Sequence, residues 1–493
     1  MLLTVFLTTV FLAQAAAAAP PIDDGKIRGV IQRYLAAETA VSAENVEIHV
    51  NDGVVMLSGS TDNLLQKNQI ARIAESVRGV RAVIDDTRVV PALREDDAVA
   101  RDVRAALARS ASLGIGENTV AVEKGVVTLQ GTVDSWVRSR LAERRAMSVR
   151  GATKIVNQIV VIPGRHRDDK TIQMDIMKRL QSDLYVDASG IDVAVTGGRV
   201  RLEGYVRTAA EKRRAAENAW VAGVVAVEDR QLIAKWPQKE TMQRPSPYIQ
   251  QSDQTILKAV EDALLMDPRV NAANPDVSVI NGVVTLSGVV DTLYAKRAAE
   301  ADALNTTGVW KVDNQLHLRY RAFPTDAEVE SMIRDVFKRD AELHPLDLGV
   351  DVADNHVRLS GSVKTMGQKI RAENIASQID GVLTVENRIK VQPDEKTASE
   401  KDSDIKSAIE DELFWSPYVD SDRITVTVTN GRALLKGGVA NRFVGRIAVQ
   451  NAFEGGAQTV QTQLALNGGG TFAERFMEKP GPSGLDAALG LWR

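Results

Sequence analysis

One ten-residue pattern, a turn between two runs of alternating apolar residues, recurs six times along this chain of 493 residues. It reads Val-Asn-Asp-Gly-Val-Val-Met-Leu-Ser-Gly in the first copy and Val-Ile-Asn-Gly-Val-Val-Thr-Leu-Ser-Gly in the fourth. Successive copies end on glycines that lie 72, 73, 84, 73 and 76 residues apart. Such self-similarity is typical of a chain built from repeated structural units. The repeated glycines are Gly59, Gly131, Gly204, Gly288, Gly361 and Gly437.

Each copy predicts a β-hairpin. Asp52-Gly53 and Asn281-Gly282 tolerate the positive φ angles of a two-residue turn, whereas Lys124-Gly125 is the weakest turn signal. After the first turn, Val55 and Leu57 alternate as in a strand with one buried face. Because the repeated glycine has no side chain, we expect it to let a helix approach the sheet closely.

A helical pattern precedes each hairpin and another follows it. Before the fourth hairpin, Ile256 and Leu264 follow helical spacing behind Ser252, a plausible N-cap. After it, Leu293 to Ala303 form a second predicted helix, which stops near Gly308. A last strand follows. We therefore predict an α+β protein of six tandem α-β-β-α-β units, each a three-stranded sheet with two helices on one face.

The connections between units are mostly short. Residues 237–251 are the exception, because three prolines there predict a semi-rigid linker between the third and fourth units. Residues 468–493 are rich in Gly and Pro, and we expect a flexible tail that does not pack. The predicted units are residues 23–92, 95–163, 168–235, 252–320, 325–392 and 402–467.

The first residues predict export. Residues 2–13 form an apolar run too short to span a bilayer, and Ala16-x-Ala18 is a small-residue cleavage site. We expect residues 1–18 to be a signal peptide, although no Lys or Arg precedes the run, and the protein to be periplasmic or otherwise extracytoplasmic. The alternative is a buried or interfacial N-terminal helix. No later segment is long and apolar enough for a transmembrane span.

Composition excludes several classes of function. The absence of cysteine rules out disulfides, thiolate metal sites and cysteine nucleophiles. A net charge of −4 argues against a dedicated nucleic-acid binder. The five histidines follow no metal or triad spacing, and the carboxylates recur at no fixed position, as on a solvated surface. We expect no catalytic residue, no metal and no cofactor.

The repeat resembles the BON (bacterial OsmY and nodulation) domain family of periplasmic and cell-envelope proteins. The shared residues are an opening Asp with a helix, Val-x-Val-x-x-Gly-x-Val-x-Leu-x-Gly-x-Val, a second helix, and Gly-Val-x-x-Val-x-Asn. The last motif is present from Gly308 to Asn314 and from Gly381 to Asn387, while the third unit has Asp229 at the Asn position. The resemblance covers about residues 23–467 and implies attachment to phospholipid surfaces or envelope partners, in some members under osmotic stress.

The start of the second helix carries a further motif. In several units a large apolar residue is followed at once by basic residues, which is the composition of a segment that lies on anionic lipid. The alternative is that the apolar residues pack on the sheet while the basic residues are solvated and pair with neighbouring Glu. The predicted lipid-binding residues are Trp136, Arg138, Arg140, Leu293, Tyr294, Lys296, Arg297, Met366, Lys369, Phe443 and Arg446.

Together these features predict an adaptor that binds phospholipid surfaces or the cell envelope. Contacts that are weak in one unit would add through the effective concentration of tethered units. One alternative is a periplasmic scaffold that binds envelope proteins through exposed sheet edges, without lipid. Another is an enzyme or a small-ligand sensor, which would require a pocket with convergent polar groups.

Overall fold

The computed structural model describes residues 23–37, 45–91, 94–108, 120–162, 167–183, 186–235, 251–267, 269–270, 275–309, 311–319, 324–364, 366–391, 401–416, 419–440, 442–466, 470–473 and 475–476. The predicted signal peptide, residues 1–18, and all but Gln251 of the predicted linker lie outside the described residues. No helix in the described part of the chain combines the length and hydropathy needed to cross a bilayer.

The predicted order of elements is confirmed in all six units. Each unit holds a helix, two strands, a second helix and a last strand. The helices are α1 Asp24–Ala37, α2 Leu64–Ser76, α3 Asp96–Ala108, α4 Trp136–Met147, α5 Asp169–Ser182, α6 Ala209–Asn218, α7 Asp253–Met266, α8 Leu293–Leu304, α9 Asp326–Arg339, α10 Met366–Ser377, α11 Asp402–Trp415 and α12 Arg442–Glu454. Two helices belong to each unit in chain order, so that α1 and α2 define unit 1 and α11 and α12 define unit 6.

The strands follow the same order. In units 1, 4 and 5 the last strand is split into two segments. The strands are β1 Val46–Asn51, β2 Val54–Thr61, β3 Ala82–Asp85, β4 Arg88–Val89, β5 Val120–Glu123, β6 Val126–Val133, β7 Lys154–Val161, β8 Ile191–Thr196, β9 Arg199–Val206, β10 Ala226–Ala234, β11 Asp276–Ile280, β12 Val283–Ser287, β13 Val289–Val290, β14 Lys311–Asn314, β15 His317–Leu318, β16 Gly349–Ala353, β17 His356–Ser360, β18 Ser362–Val363, β19 Thr384–Asn387, β20 Lys390–Val391, β21 Ile424–Thr429, β22 Arg432–Val439, β23 Thr459–Leu466, β24 Thr471–Phe472 and β25 Arg475–Phe476.

The second strand is central in every sheet. It pairs antiparallel with the first strand across the hairpin and parallel with the last strand, as for β8, β9 and β10 in unit 3. Antiparallel strands can be joined by a tight turn, whereas parallel strands need a crossover, which the second helix supplies. Both helices therefore cover one face of the sheet and leave the other open.

All six turns have the predicted conformation. Both central residues have positive φ, at 49° and 70° for Asp52 and Gly53 and at 51° and 75° for Lys124 and Gly125. Two residues with positive φ define a type I′ turn, whose twist matches that of the flanking strands. Even the weakest sequence signal thus marks a true hairpin.

In most units the repeated glycine is required for a different reason from the one predicted; Gly288 is the exception, since the nearest atom to its Cβ position is 3.7 Å away. At Gly204 φ is +110°, and a Cβ would lie 2.1 Å from the carbonyl oxygen of Gly190, just before the first strand. At Gly437 the corresponding distance, to the oxygen of Arg423, is 1.9 Å. The neighbouring backbone of the hairpin, and not a helix, excludes a side chain here.

One carboxylate does recur, contrary to expectation. The first residue of each leading helix is an aspartate whose two oxygens accept hydrogen bonds from both backbone N–H groups of the hairpin turn. In unit 3 the Asp169 oxygens lie 2.7 Å from the nitrogen of Gly197 and 2.9 Å from that of Gly198. The equivalents are Asp24, Asp96, Asp253, Asp326 and Asp402.

The Asn of the last strand forms hydrogen bonds that hold this strand against the second helix. In unit 4 the amide of Asn314 donates to the carbonyl oxygen of Lys296 at 2.9 Å and to Glu300 at 3.1 Å. Asn387 makes the same two bonds in unit 5. Unit 1 has Asp85 at this position, and it accepts from the Lys67 ammonium at 3.0 Å instead.

Each unit has its own apolar core between the helices and the sheet. In unit 3, Ile172, Ile176 and Leu180 of α5 pack on Val200 and Leu202 of β9, and none is more than 1% exposed. The predicted Ile256 and Leu264 are likewise buried in unit 4, and Ser252 caps α7 by accepting from the Thr255 N–H at 3.2 Å.

The prediction of an unpacked tail is wrong for residues 471–472 and 475–476. Strands β24 and β25 pair antiparallel with the outer edge of β23, and Phe472 is fully buried in the core of unit 6. The reason lies at Gly445, where a Cβ would be 2.6 Å from the Phe472 ring. Units 1, 3, 4 and 5 have Lys at this position of the second helix, so the space for the ring is specific to unit 6.

Candidate functional site

The predicted lipid-binding residues of unit 2 lie at a contact with unit 3. The indole of Trp136 stacks on that of Trp220, with ring centroids 5.0 Å apart and an angle of 4° between the planes. The guanidinium of Arg140 lies 5.5 Å from the centre of the Trp136 ring. Arg138 pairs with Asp134 one turn away, at 2.8 Å. Trp136 is therefore engaged by another unit.

The corresponding residues of unit 4 lie against unit 5. Leu293 packs on the core of unit 5, and Arg297 forms an ion pair with Glu373 of that unit at 2.7 Å. Tyr294 faces the guanidinium of Arg269, 5.9 Å from its ring centre. The Lys296 ammonium donates to the carbonyl oxygen of Leu316 at 2.6 Å.

The remaining predicted residues lie in units 5 and 6. Lys369 and Arg446 are half-buried on α10 and α12. Met366 begins α10 and Phe443 is the second residue of α12, but their side chains lie outside the described part of the chain. Among the members whose side chains are described, Trp136, Leu293 and Arg297 contact another unit, whereas Arg138, Lys369 and Arg446 remain partly exposed.

Units meet where one helix of each ends. The end of α5 in unit 3 forms an isolated β-bridge with the end of α8 in unit 4, between Asp183 and Thr306. The end of α9 in unit 5 meets the end of α4 in unit 2 in the same way, between Asp340 and Val149. The spacing of the repeat carries no signal for these junctions, because the contacting ends belong to different units.

A buried ion pair accompanies these helix ends. Asp183, Asp267 and Asp340 are the C-cap residues of α5, α7 and α9. A carboxylate is unfavourable at the negative end of a helix dipole unless a cation offsets it. Arg214 supplies that cation to Asp183, with its Nε 2.8 Å and 2.6 Å from the two oxygens. Arg269 does the same for Asp267, and Arg371 for Asp340.

The contact between units 1 and 3 is also ionic. Arg213 of α6 bridges Glu75 of α2 at 2.7 Å and Glu217 of its own helix at 3.1 Å. Burial alone would raise the pKa of Glu217, but the guanidinium groups of Arg213 and Arg72 lower it to about 2. The carboxylate is therefore ionised at neutral pH and supports the Arg213 guanidinium, which makes the bridge to Glu75 of the other helix.

A cavity of about 510 Å³ lies where units 1, 2, 3 and 4 meet. A second cavity of about 190 Å³ adjoins it and shares Arg72, Arg144 and Arg269 with it. Burial, together with the charge of neighbouring arginines, lowers the pKa of Arg144 to about 10 and that of Arg72 to about 9. Cations are thus concentrated where the helices of these units converge.

The open faces of the sheets carry exposed apolar side chains in units 1 to 3. In unit 3, Tyr205 of β9 is 52% exposed beside its partner Ile233 of β10, which is 44% exposed. Arg199 and Arg201 precede Tyr205 at alternate positions, so they lie on the same face, with exposed side chains that form ion pairs with Glu228 and Glu203. Val160 in unit 2 and the pair Met56 and Ile84 in unit 1 are also exposed.

Within the part of the chain that the structure describes, no three His, Cys, Asp or Glu side chains come together as metal ligands would. The sequence predicted neither the cavity nor the junctions. A detectable signal existed for the ion pairs, because units 3, 4 and 5 each have Asp 21 residues before the repeated glycine.

The family model of the BON domain matches six segments, residues 23–91, 95–163, 168–234, 252–320, 325–393 and 401–468. The chain is 30% identical over 146 residues to osmotically-inducible protein Y of Escherichia coli (strain K12). The aligned residues make up 28% of this chain and 73% of the relative.

Two solved structures of CdsD, a structural protein of the type III secretion system of Chlamydia trachomatis, also match. One is 18% identical, covering 41% of this chain and 88% of that chain, with a TM-score of 0.11. The other, of the C-terminal domain, is 17% identical, covering 42% and 95%, with a TM-score of 0.12. At these TM-scores the likeness carries no argument about this chain.

Proposed function

Because the chain belongs to the BON domain family, with six copies of the domain, we propose that it is an exported, non-catalytic envelope protein that attaches to anionic phospholipid surfaces. The osmotically inducible relative supports a role in osmotic stress. Attachment would use the open sheet faces of units 1 to 3, together with those residues of the second helices that remain at the surface.

The observation that carries this proposal is the exposed patch on unit 3. Tyr205 and Ile233 offer apolar surface to a bilayer interface, and beside them the exposed Arg199 and Arg201, which pair with Glu228 and Glu203, would exchange these carboxylates for lipid phosphates on binding. Each basic residue near an anionic surface contributes about 1 kcal/mol, and buried apolar area adds about 25 cal/mol per Å². One patch of this size binds weakly, so stable attachment would depend on several units acting together.

Co-sedimentation of the full chain with phosphatidylglycerol vesicles at low salt tests the proposal. We expect binding that weakens as salt rises, and that weakens further in the double variant Tyr205→Ser, Ile233→Ser. The matched control is Arg358→Gln, Glu386→Gln, an exposed pair on the open face of unit 5 that has no apolar partner of this kind. Absence of vesicle binding by the unaltered chain would exclude lipid attachment.

The lipid-binding residues predicted from the sequence, at the starts of the second helices, are tested separately. The triple variant Arg138→Gln, Lys369→Gln, Arg446→Gln removes three cations at the starts of second helices without touching the Trp136 or Leu293 contacts. If these helix starts lie on lipid, the variant should lose vesicle binding, and if the sheet faces alone do so, it should bind as the unaltered chain does.

A second candidate function, protein binding by strand addition, is favoured by one observation in unit 6. Strands β24 and β25 already occupy the outer edge of its last strand in antiparallel register. The equivalent strand β10 of unit 3 has no described neighbour on its outer side. Site-specific crosslinking from this edge in cells, with Arg230→Pro as the blocking variant, should then capture an envelope protein, while vesicle binding stays unchanged.

A further inference from the structure

The cavity between units 1, 2, 3 and 4 holds more positive than negative charge. Nine basic and six acidic side chains line it among the described residues. The acidic ones have partners: Arg167 pairs with Asp175 at 2.7 Å and Lys258 with Asp262 at 3.5 Å. The other four are held by the arginines of the helix-end pairs and by Arg213.

Arg144 stands apart from these pairs. It lines the cavity from α4 and makes no ion pair or side-chain hydrogen bond with any described residue. Glu217 and Asp267 act on it only at longer range, since each is bound to another arginine. Arg144 is half-buried, and a guanidinium that is partly shielded from water without an anion is stabilised when an oxyanion accepts its hydrogen bonds.

Asn305 independently indicates that a hydrogen-bond acceptor binds in the same cavity. This residue caps the end of α8 and is only 6% exposed, yet its side-chain nitrogen Nδ2 has no hydrogen-bond partner among the described residues. A buried amide N–H without an acceptor costs about 1–3 kcal/mol. Arg144 and Asn305 are both donors, so whatever satisfies them must bring acceptor oxygens.

The size and the walls of the cavity indicate an organic molecule. Its volume of about 510 Å³ lies within the range of small-molecule sites. Trp136, Val137 and Val221 contribute apolar wall, while the exposed Lys178 and Lys258 lie where solvent reaches it. We propose that this cavity binds a small organic oxyanion, a carboxylate or a phosphate ester, through Arg144 and Asn305, and so links the packing of four units to the presence of that ligand.

Titration calorimetry of the full chain with citrate and with glycerol 3-phosphate tests this site, with chloride at equal ionic strength as the reference. We expect binding of one or both, and a Kd about tenfold higher in Arg144→Gln, as loss of a charge-assisted contact implies. The matched control is Arg334→Gln on α9, whose side chain pairs with Glu330 outside the cavity and whose loss should leave the Kd unchanged.

Tryptophan fluorescence keeps the test valid if Arg144→Gln does not fold. Trp136 lines the cavity, so both anions should change the fluorescence of the unaltered chain, and the Kd should rise in the milder variants Arg144→Lys and Asn305→Leu. If phosphatidylglycerol vesicles compete with the anion, the natural ligand is a lipid headgroup. If they do not compete, the natural ligand is a free solute. No binding of either anion at millimolar concentration, or an equal Kd in all variants, would overturn the proposal without affecting vesicle attachment by the outer faces.

Discussion

At the scale of single residues, the repeated glycines show how a local backbone requirement becomes a sequence repeat. Gly204 has a φ of +110° and no room for a Cβ beside the carbonyl oxygen of Gly190. An L side chain there meets both an unfavourable φ and a backbone atom that cannot move without breaking the hairpin. The same constraint applies at Gly59 and Gly437, where the distances are 2.0 Å and 1.9 Å.

We therefore expect Gly204→Ala to destabilise unit 3 by about 2–3 kcal/mol, the range for enforced backbone strain with a clash. Gly197→Ala is the control, because its φ is also positive, at +58°, but nothing lies within 4 Å of its Cβ position. It should cost about 1 kcal/mol. Hydrogen exchange of the β8 and β9 amides measures both, and equal effects would refute the steric explanation.

The second prediction at this scale concerns pH. Opposite charge holds the pKa of Glu217 in the folded chain at about 2, below its ordinary value of 4.5. A lowered pKa stabilises the folded state above pH 4.5, and that contribution disappears as the pH falls from 4.5 to about 2. The full shift corresponds to a free energy of unfolding on the order of 3 kcal/mol.

Glu217→Gln should remove most of this acid-dependent loss, so the variant and the unaltered chain should differ in stability at neutral pH and converge in acid. Urea unfolding followed by the fluorescence of the neighbouring Trp220 is the measurement. Glu228→Gln, an exposed glutamate of the same unit, is the control. A variant whose stability falls as steeply in acid as that of the unaltered chain would contradict the assignment.

At the scale of elements, one aspartate joins the start of the first helix to the hairpin turn in every unit. The two oxygens of Asp169 accept from both turn N–H groups while the charge lies at the positive end of the α5 dipole. The turn is thus held against the helix 28 and 29 residues earlier in the chain. This contact gives the recurring Asp a structural reason that does not involve catalysis.

Asp169→Asn should destabilise unit 3 by about 1.5–3 kcal/mol, the usual contribution of hydrogen bonds to a charged group. The amide keeps one acceptor oxygen but turns an NH₂ group toward a backbone donor. Loss of protection should begin at the Gly197 and Gly198 amides in hydrogen exchange. Asp192→Asn, an exposed residue of β8, should leave exchange unchanged, and comparable losses in both variants would show that the turn does not depend on Asp169.

At the scale of the whole molecule, helices of all six units face one another, since α11 of unit 6 also contacts unit 1 through Arg33 and Glu412, and the sheets turn their open faces outward. Ion pairs and stacked rings join the units, including Arg213 to Glu75 and Trp136 to Trp220. Such contacts bury mixed polar and apolar surface, as interfaces between domains of one chain commonly do. They explain why apolar residues at several helix starts lie between units.

The stacking of Trp136 on Trp220 predicts an energetic coupling between units 2 and 3, because an aromatic pair contributes about 0.5–1.5 kcal/mol beyond the area that it buries. In a double-mutant cycle on the free energy of unfolding, Trp136→Leu and Trp220→Leu should each destabilise the full chain, and the double variant should cost about 0.5–1.5 kcal/mol less than the sum of the two. Trp136→Leu combined with Tyr205→Leu, on the open face of unit 3, is the control and should be additive. If Trp136→Leu and Trp220→Leu are also additive, units 2 and 3 do not dock in solution as described.

The sequence by itself determined the unit. Alternating valines and leucines, turns such as Asn281-Gly282 and the helical spacing of Ile256 and Leu264 act over short stretches of chain, so local pattern was sufficient to predict six α-β-β-α-β folds. The tail was mispredicted because its packing depends on Gly445, a residue of the preceding helix whose missing side chain leaves room for Phe472.

Only the tertiary structure decided how the units meet and what lies between them. Nothing in the local sequence distinguishes a Trp136 that lies on lipid from one that stacks on Trp220, since both need an exposed apolar residue next to cations. The same holds for Arg144. The sequence alone predicts a surface cation at this position, whereas in the structure Arg144 faces helices of three other units. Contacts between distant segments depend on the relative orientation of folded units, and periodicity within a unit does not encode that orientation.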